Sequence, residues 1–250
     1  MSIMDIAIHD GSPGLSNRIK NYTGIYRTFR QALTVNEADA YIFDNLRLAT
    51  QEELDTYPTF DHWRFPLLPG EERKTGDYKY IDLLYDDTPK YFIDVYREAF
   101  NRLQVNSDIV DYCVGFTSDW DKVIGLHIRS WYCDRVKYHS NQLFESVIDT
   151  FDKDRKIFLC GDNSDVLNYF EEKYGDRIIT HPQKKYNHPH MAESGHNKSV
   201  QDTVDAFIDL YLLSMCETIV GTYASTFAEV AWWLGGNNPK VIIPEPYNLE

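Results

Sequence analysis

The chain has 250 residues, enough to bury a sizeable core as one large domain or two small ones. Hydrophobic residues make up 43% of it and both signs of charge are interspersed, which excludes an intrinsically disordered chain. With 39 acidic against 25 basic residues the formal charge is −14, which disfavours duplex nucleic acid and anionic membrane surfaces as partners but leaves room for local basic pockets.

The amino-terminal part runs GSPGLSNRIKNYTGIYRTFRQAL. A glycine and proline turn gives way to helical spacing, with Ile19, Tyr22, Ile25, Tyr26 and Phe29 as the expected buried stripe. ADAYIFDN at 38–45 predicts a strand. Residues 51–80 carry aromatics and prolines without a clear period, the texture of an irregular surface segment. Helical spacing returns from Tyr91 to Leu103 and from Ile109 to Phe116. The texture changes near residue 120, which divides the chain into expected domains at 1–120 and 121–250.

From there strands and helices alternate. VIGLHIR (123–129) is an apolar, β-branched run of strand length, and NQLFESVIDTF (141–151) has helical spacing at Leu143, Val147, Ile148 and Phe151. KIFLCG (156–161) predicts the next strand. Asp162, Asn163 and Ser164 offer cap chemistry for a helix that stops near Gly175, and RIIT (177–180) is a short third strand. A helix over the acidic segment, TIVGT (218–222) as strand, FAEVAWWLGG (227–236) as helix and KVIIP (240–244) as strand complete the series. Continuous apolar strands separated by helices mark a parallel sheet covered on both faces. Ligands of such sheets bind beyond the carboxyl ends of the strands. Three candidate motifs fall there: His127 with Arg129, Asp162, and the 222–227 turn.

His127 and Arg129 are two apart on a strand, so their side chains leave the same face. A guanidinium there can hold a phosphate bidentately while the histidine donates a second bond; an arginine paired with a neighbouring acid and a structural histidine would look the same in sequence. Ser225 and Thr226 lie between a strand and a helix start, where hydroxyls and free amides bind an anion or simply cap the helix. Gly14 to Arg18 form a second such turn. Asp202, Asp205 and Asp209, at i, i+3 and i+7, share one face of an otherwise apolar helix. A carboxylate in that setting needs donors: the guanine edge would supply them, as would a helix-start cap or a neighbouring Lys or Arg.

Other chemistries lack support. Cys113, Cys133, Cys160 and Cys216 form no CxxC pair, which fits a reducing compartment. His181, His188, His190 and His196 match no zinc spacing and are expected in a loop over the active site, so no metal is expected. No P-loop, GxGxxG or GxSxG occurs. The amino terminus lacks a basic region before an apolar core, and no run approaches about 18 apolar residues, so neither a signal peptide nor a membrane span is expected.

GLSNR at 14–18, IGLHIR at 124–129 (with His127 and Arg129), IFLCGD at 157–162 and DAFIDLYLLSMCETIVGTYASTF at 205–227 together resemble the fucosyltransferase superfamily of α1,6-fucosyltransferases, nodulation fucosyltransferases and protein O-fucosyltransferases. The resemblance covers nearly all of the carboxyl half and the first helix of the amino half. It implies an α/β, GT-B-like fold of two Rossmann-type domains, with the amino-terminal one reduced and on the acceptor side, and with the nucleotide sugar held by the carboxyl domain. The implied reaction is inverting transfer of fucose from GDP-fucose to a hydroxyl of a glycan acceptor, without a metal. Carried over by position, Arg129 binds the β-phosphate with help from His127, and Asp209 reads guanine, or Asp205 after a one-turn shift. Asp162 belongs to the same donor site. Ser225, Thr226 and Phe227 contact phosphate and nucleoside, while Asn17 and Arg18 approach the pyrophosphate from the other domain. Asp134 is the expected base, in a register that departs from the α1,6 branch, with Glu145 second. A cytoplasmic microbial or viral enzyme building a surface glycan follows. The alternatives are a catalytically silent nucleotide- or glycan-binding module, kept open by the misplaced Asp134, and a metal-dependent enzyme built on the 181–196 histidines.

Overall fold

The computed structural model describes residues 5–11, 14–60, 90–130, 140–182, 199–222 and 225–244. In the amino half these form β1 (Ile6–His9), α1 (Leu15–Thr28), β2 (Gln31–Thr34), α2 (Glu37–Ile42), α3 (Gln51–Thr56), β3 (Thr59–Phe60), α4 (Lys90–Asn101) and α5 (Ser107–Phe116). The carboxyl half contributes β4 (Ile124–Ile128), α6 (Asn141–Ile148), β5 (Ile157–Gly161), α7 (Ser164–Tyr174), β6 (Ile178–Ile179), α8 (Val200–Ser214), β7 (Thr218–Val220), α9 (Thr226–Leu234) and β8 (Lys240–Ile242).

The carboxyl-half strands pair in parallel in the order β6-β5-β4-β7-β8, so the chain order reverses between β4 and β7. Ile128 lies opposite Gly161 of β5, and Leu126 opposite Val220 of β7. That register puts Arg129, Asp162 and the 221–222 segment side by side at the switch point, where open α/β sheets bind ligands. Gly161 permits the close approach of β4 and β5, because a Cβ there would meet the Ile128 carbonyl oxygen at 2.5 Å. A smaller parallel sheet, β2-β1-β3, forms the amino half, and its order likewise reverses beside β1.

Alternation along β4 separates two cores. Ile124, Leu126 and Ile128 pack with Phe144, Ile148, Leu167 and Phe170 of α6 and α7. The opposite face meets α8 and α9 through Val123, Phe158, Cys160 and Ile219, in a cluster that continues into Ala7, Tyr22, Ala32 and Phe43 of the amino half. Trp233 of α9 stacks on Tyr96 and Phe100 of α4 at 5.2 and 5.8 Å, and Phe43 meets Phe207 of α8 edge-on at 5.3 Å. Phe43, Phe207 and Trp233 are fully buried, and each such side chain contributes roughly 1.5–3 kcal/mol.

The expected stripe of α1 is buried throughout. The segment 38–45, expected as a strand, is instead largely the helix α2. Asn36 accepts the Asp39 amide and caps it, and Asp39 is drawn into the core by Arg18 and Tyr22. Two side-chain bonds that only the folded chain supplies therefore override an apolar run of strand-like composition. β1, β2 and β3 lie where no strand was expected. Among the described residues no helix is long and apolar enough to cross a membrane.

Candidate functional site

The ends of β4 and β7 are joined by one hydroxyl. Thr222 Oγ1 accepts from the Arg129 amide at 2.8 Å and donates to the His127 carbonyl at 3.1 Å. Asp162 performs the same service from β5: its Oδ1 accepts from the amide of Ser130 at 2.7 Å and lies 3.3 Å from the Ser130 hydroxyl. The Arg129–Ser130 turn is thus held on both sides by side chains of neighbouring strands.

His127 points to the α8–α9 face and is buried, stacked on Phe227 with ring centroids 4.6 Å apart and planes within 12°. Burial, and after it the positive charge of Arg129, pushes its pKa down to about 3, so the imidazole is neutral at ordinary pH. Among the described residues its buried Nδ1 finds no hydrogen-bond partner. The same holds for Asp162 Oδ2 and Ser225 Oγ. Three orphaned polar atoms at the ends of β4, β5 and the β7–α9 turn are costly in a finished interior, and a polar ligand would satisfy them.

Ser225 is the N-cap residue of α9, yet its hydroxyl makes no capping bond. The first-turn amides of α9 therefore remain available to an anion, with Thr226 and Phe227 in that turn. At the end of the same turn, the fully buried Glu229 accepts from Lys20 of α1 at 2.7 Å and from Trp233 Nε1 at 3.4 Å. This ion pair brings the amino-terminal turns of α1 and α9 together.

The remaining expected residues are dispersed around this centre. Asn17 is half-buried in the first turn of α1. The Arg18 guanidinium is buried and bonded to Asp39 through Nε at 2.7 Å and Nη2 at 2.8 Å, while Tyr22 donates to the same carboxylate at 2.6 Å. Asp202 closes a capping box with Ser199. Asp205 is half-buried and accepts from Gln201 at 2.7 Å. Asp209 is buried, with Oδ1 3.5 Å from Nδ1 of the buried His181, whose ring meets those of Tyr112 and Phe116 edge-on. Asp134, His188, His190 and His196 lie outside the described residues. Glu145 accepts from Tyr169 and pairs with Lys173; although burial would raise its pKa, those bonds hold it below the usual carboxylate range. Among the described residues no group of three His, Cys, Asp or Glu side chains is placed to hold a metal ion.

Thr222, Ser130, Lys20, Glu229 and His181 were not singled out for these roles from sequence. The first stood inside the recognised GTYASTF segment, but its role depends on a partner 93 residues away.

No protein-family model and no curated protein sequence matches the chain. Solved structures do. The chain is similar to the NodZ α-1,6-fucosyltransferase co-crystallised with GDP, with 17% identity over 98% of this chain and 99% of that one and a TM-score of 0.55. The same enzyme soaked with GDP-fucose matches at 17% identity over 92% of each chain with a TM-score of 0.52. A point mutant of Arabidopsis thaliana FUT1 in complex with GDP matches at 14% identity over 93% of this chain and 69% of that one, TM-score 0.51. The fold is that of the fucosyltransferases. It is an α/β, Rossmann-like GT-B architecture, in which the described residues of the amino half form a three-stranded sheet.

Proposed function

We propose that the chain is a glycosyltransferase that moves fucose from GDP-fucose to a hydroxyl of a glycan acceptor, with inversion. The observation that carries this reading is three buried atoms without a partner among the described residues, His127 Nδ1, Asp162 Oδ2 and Ser225 Oγ, on residues at the carboxyl ends of β4 and β5 and in the β7–α9 turn that flank the switch point. Their mixture of donors and acceptors suits a nucleoside diphosphate, and the fold neighbours crystallised with GDP and soaked with GDP-fucose support the choice of nucleotide. Residues 121–250 then form the donor side and 1–120 the acceptor side.

Arg129 holds the β-phosphate and the α9 amides receive the other phosphate oxygens. Neutral His127 donates to the diphosphate without adding charge, Phe227 shields the nucleoside, and Asp209 reads the guanine edge with Asp205 the alternative. Asn17 faces the pyrophosphate from α1, while Arg18, bonded to buried Asp39, holds that helix in place rather than meeting the phosphate itself. As the acceptor oxygen bonds to the anomeric carbon, the bond to the diphosphate breaks and its electron pair leaves with GDP. The acceptor proton passes to a carboxylate, for which Asp134 is the first choice. Charge developing on the diphosphate is met by preorganised donors, which is where most rate enhancement of this kind originates.

Calorimetric titration with GDP, UDP, ADP and CDP tests the donor assignment. GDP is expected to bind with clear preference, and Arg129→Ala to weaken it about a hundredfold, the size of a lost bidentate charge-assisted contact. Preference for another nucleotide, or full GDP affinity in Arg129→Ala, contradicts the reading. GDP-fucose turnover that persists in chelator and is lost in Asp134→Asn separates the enzyme from a silent binding module.

A further inference from the structure

We infer that Lys20 sets the electrostatic balance of the diphosphate site by neutralising Glu229 beneath it; this rests on the reading of that site as one for a nucleoside diphosphate. Glu229 is fully buried in the first turn of α9. It lies four residues past the N-cap Ser225, about 6 Å along the helix axis. A carboxylate there suits the helix dipole but repels any second anion docking on the same end, and in a water-poor interior that repulsion is weakly screened.

Lys20 answers both problems. Its ammonium lies 2.7 Å from Glu229 Oε2, and its side chain is only 13% exposed. It comes from the second turn of α1, in the other half of the molecule, so one contact cancels the buried negative charge and fixes the spacing of the two helix starts. Arg18, two residues earlier, is matched in the same manner by buried Asp39. α1 thereby approaches the site with both cations of its first two turns matched by buried acids. Lys20 is accordingly a positioning residue, acting on the diphosphate through Glu229.

The test compares GDP with guanosine, which shares the base and ribose but lacks the phosphates. Both are titrated calorimetrically into the wild type, Lys20→Met, Glu229→Gln and the double variant, with thermal melts to confirm folding. Lys20→Met exposes the ligand to an uncompensated carboxylate, and GDP is expected to weaken by roughly tenfold while guanosine changes less than about twofold. Glu229→Gln leaves the cation in place and tightens GDP relative to guanosine. The double variant restores the wild-type ratio of the two affinities. A purely structural ion pair would move GDP and guanosine in parallel, and that result, or no change in the ratio in any variant, overturns the inference while GDP binding by the wild type stands. A wild type that binds no GDP overturns the reading of the site itself. If Lys20→Met does not fold, the ratios in Glu229→Gln and the double variant decide the matter.

Discussion

A histidine buried beside an arginine has two reasons to stay unprotonated, and His127 has both. Its pKa falls from 6.5 to about 3, burial contributing most and Arg129 the rest. In the unfolded chain the same group titrates near its ordinary value. Between pH 6.5 and about 3 the unfolded state therefore binds more protons than the folded one, so this group makes stability fall as pH falls through that window and has no effect above it. The loss is on the order of a few kcal/mol by pH 4. His127→Gln cannot charge, and its stability by urea titration is expected to fall less between pH 7 and pH 4 than that of the wild type. Equal losses would assign the acid sensitivity to other groups. Strand alternation in the sequence predicts that His127 and Arg129 share a face; in the structure β4 ends at Ile128, one residue before Arg129. The burial that makes His127 neutral is not legible in sequence, since it comes from Phe227, a hundred residues away in the chain and adjacent only after β7 and α9 pack on β4.

At the scale of elements, Thr222 is the joint. β7 has three paired residues and ends two before it, so ladder bonds do not hold this part of the chain against β4; the hydroxyl does, taking the Arg129 amide and giving its proton to the His127 carbonyl. Thr222→Val keeps the shape but leaves a partly buried N–H and a buried carbonyl without this partner. It is expected to cost about 1–3 kcal/mol of stability and, because the Arg129 amide is then unanchored, to weaken GDP more than a distant substitution of equal cost. Urea titration and calorimetry on the same variant check both; a stability loss with unchanged GDP affinity would show that the turn keeps its geometry unaided. The elements of the carboxyl half follow from sequence because apolar runs of strand composition alternate strictly with segments of helical period. In the amino half β1 and β2 are four-residue strands that stand outside any such regular alternation, and α2 owes its helix to a cap at Asn36 and to Asp39's bonds with α1. The candidate site was visible as motifs at strand ends for the same reason that the carboxyl half was, whereas Lys20 and Glu229 lie 209 residues apart and neither belongs to a motif.

Across the whole molecule, the two sheets share the larger of the two cores. Most chains of 250 residues with two sheets would be expected to unfold in stages, since separate cores melt separately. Here α8 and α9 cover one face of the large sheet and at the same time complete the core of the small one: Phe207 reaches Phe43, Trp233 stacks with Tyr96 and Phe100, and Glu229 holds Lys20. The larger apolar cluster runs without a break from Ala7 to Trp233. Unfolding either half exposes the face of α8 and α9 that the other half needs, so the two should be coupled. Urea denaturation followed by tryptophan fluorescence and by far-ultraviolet circular dichroism is accordingly expected to give coincident single transitions. Trp233→Ala should displace both curves together, by about 3–5 kcal/mol, because it removes the side chain on which α4 and α9 meet. Two resolved transitions, with only one sensitive to Trp233→Ala, would mean that each half has a sufficient core of its own. Saturating GDP should raise the coincident midpoint as a unit, since a ligand held between α1 and α9 stabilises only the state in which both halves are folded.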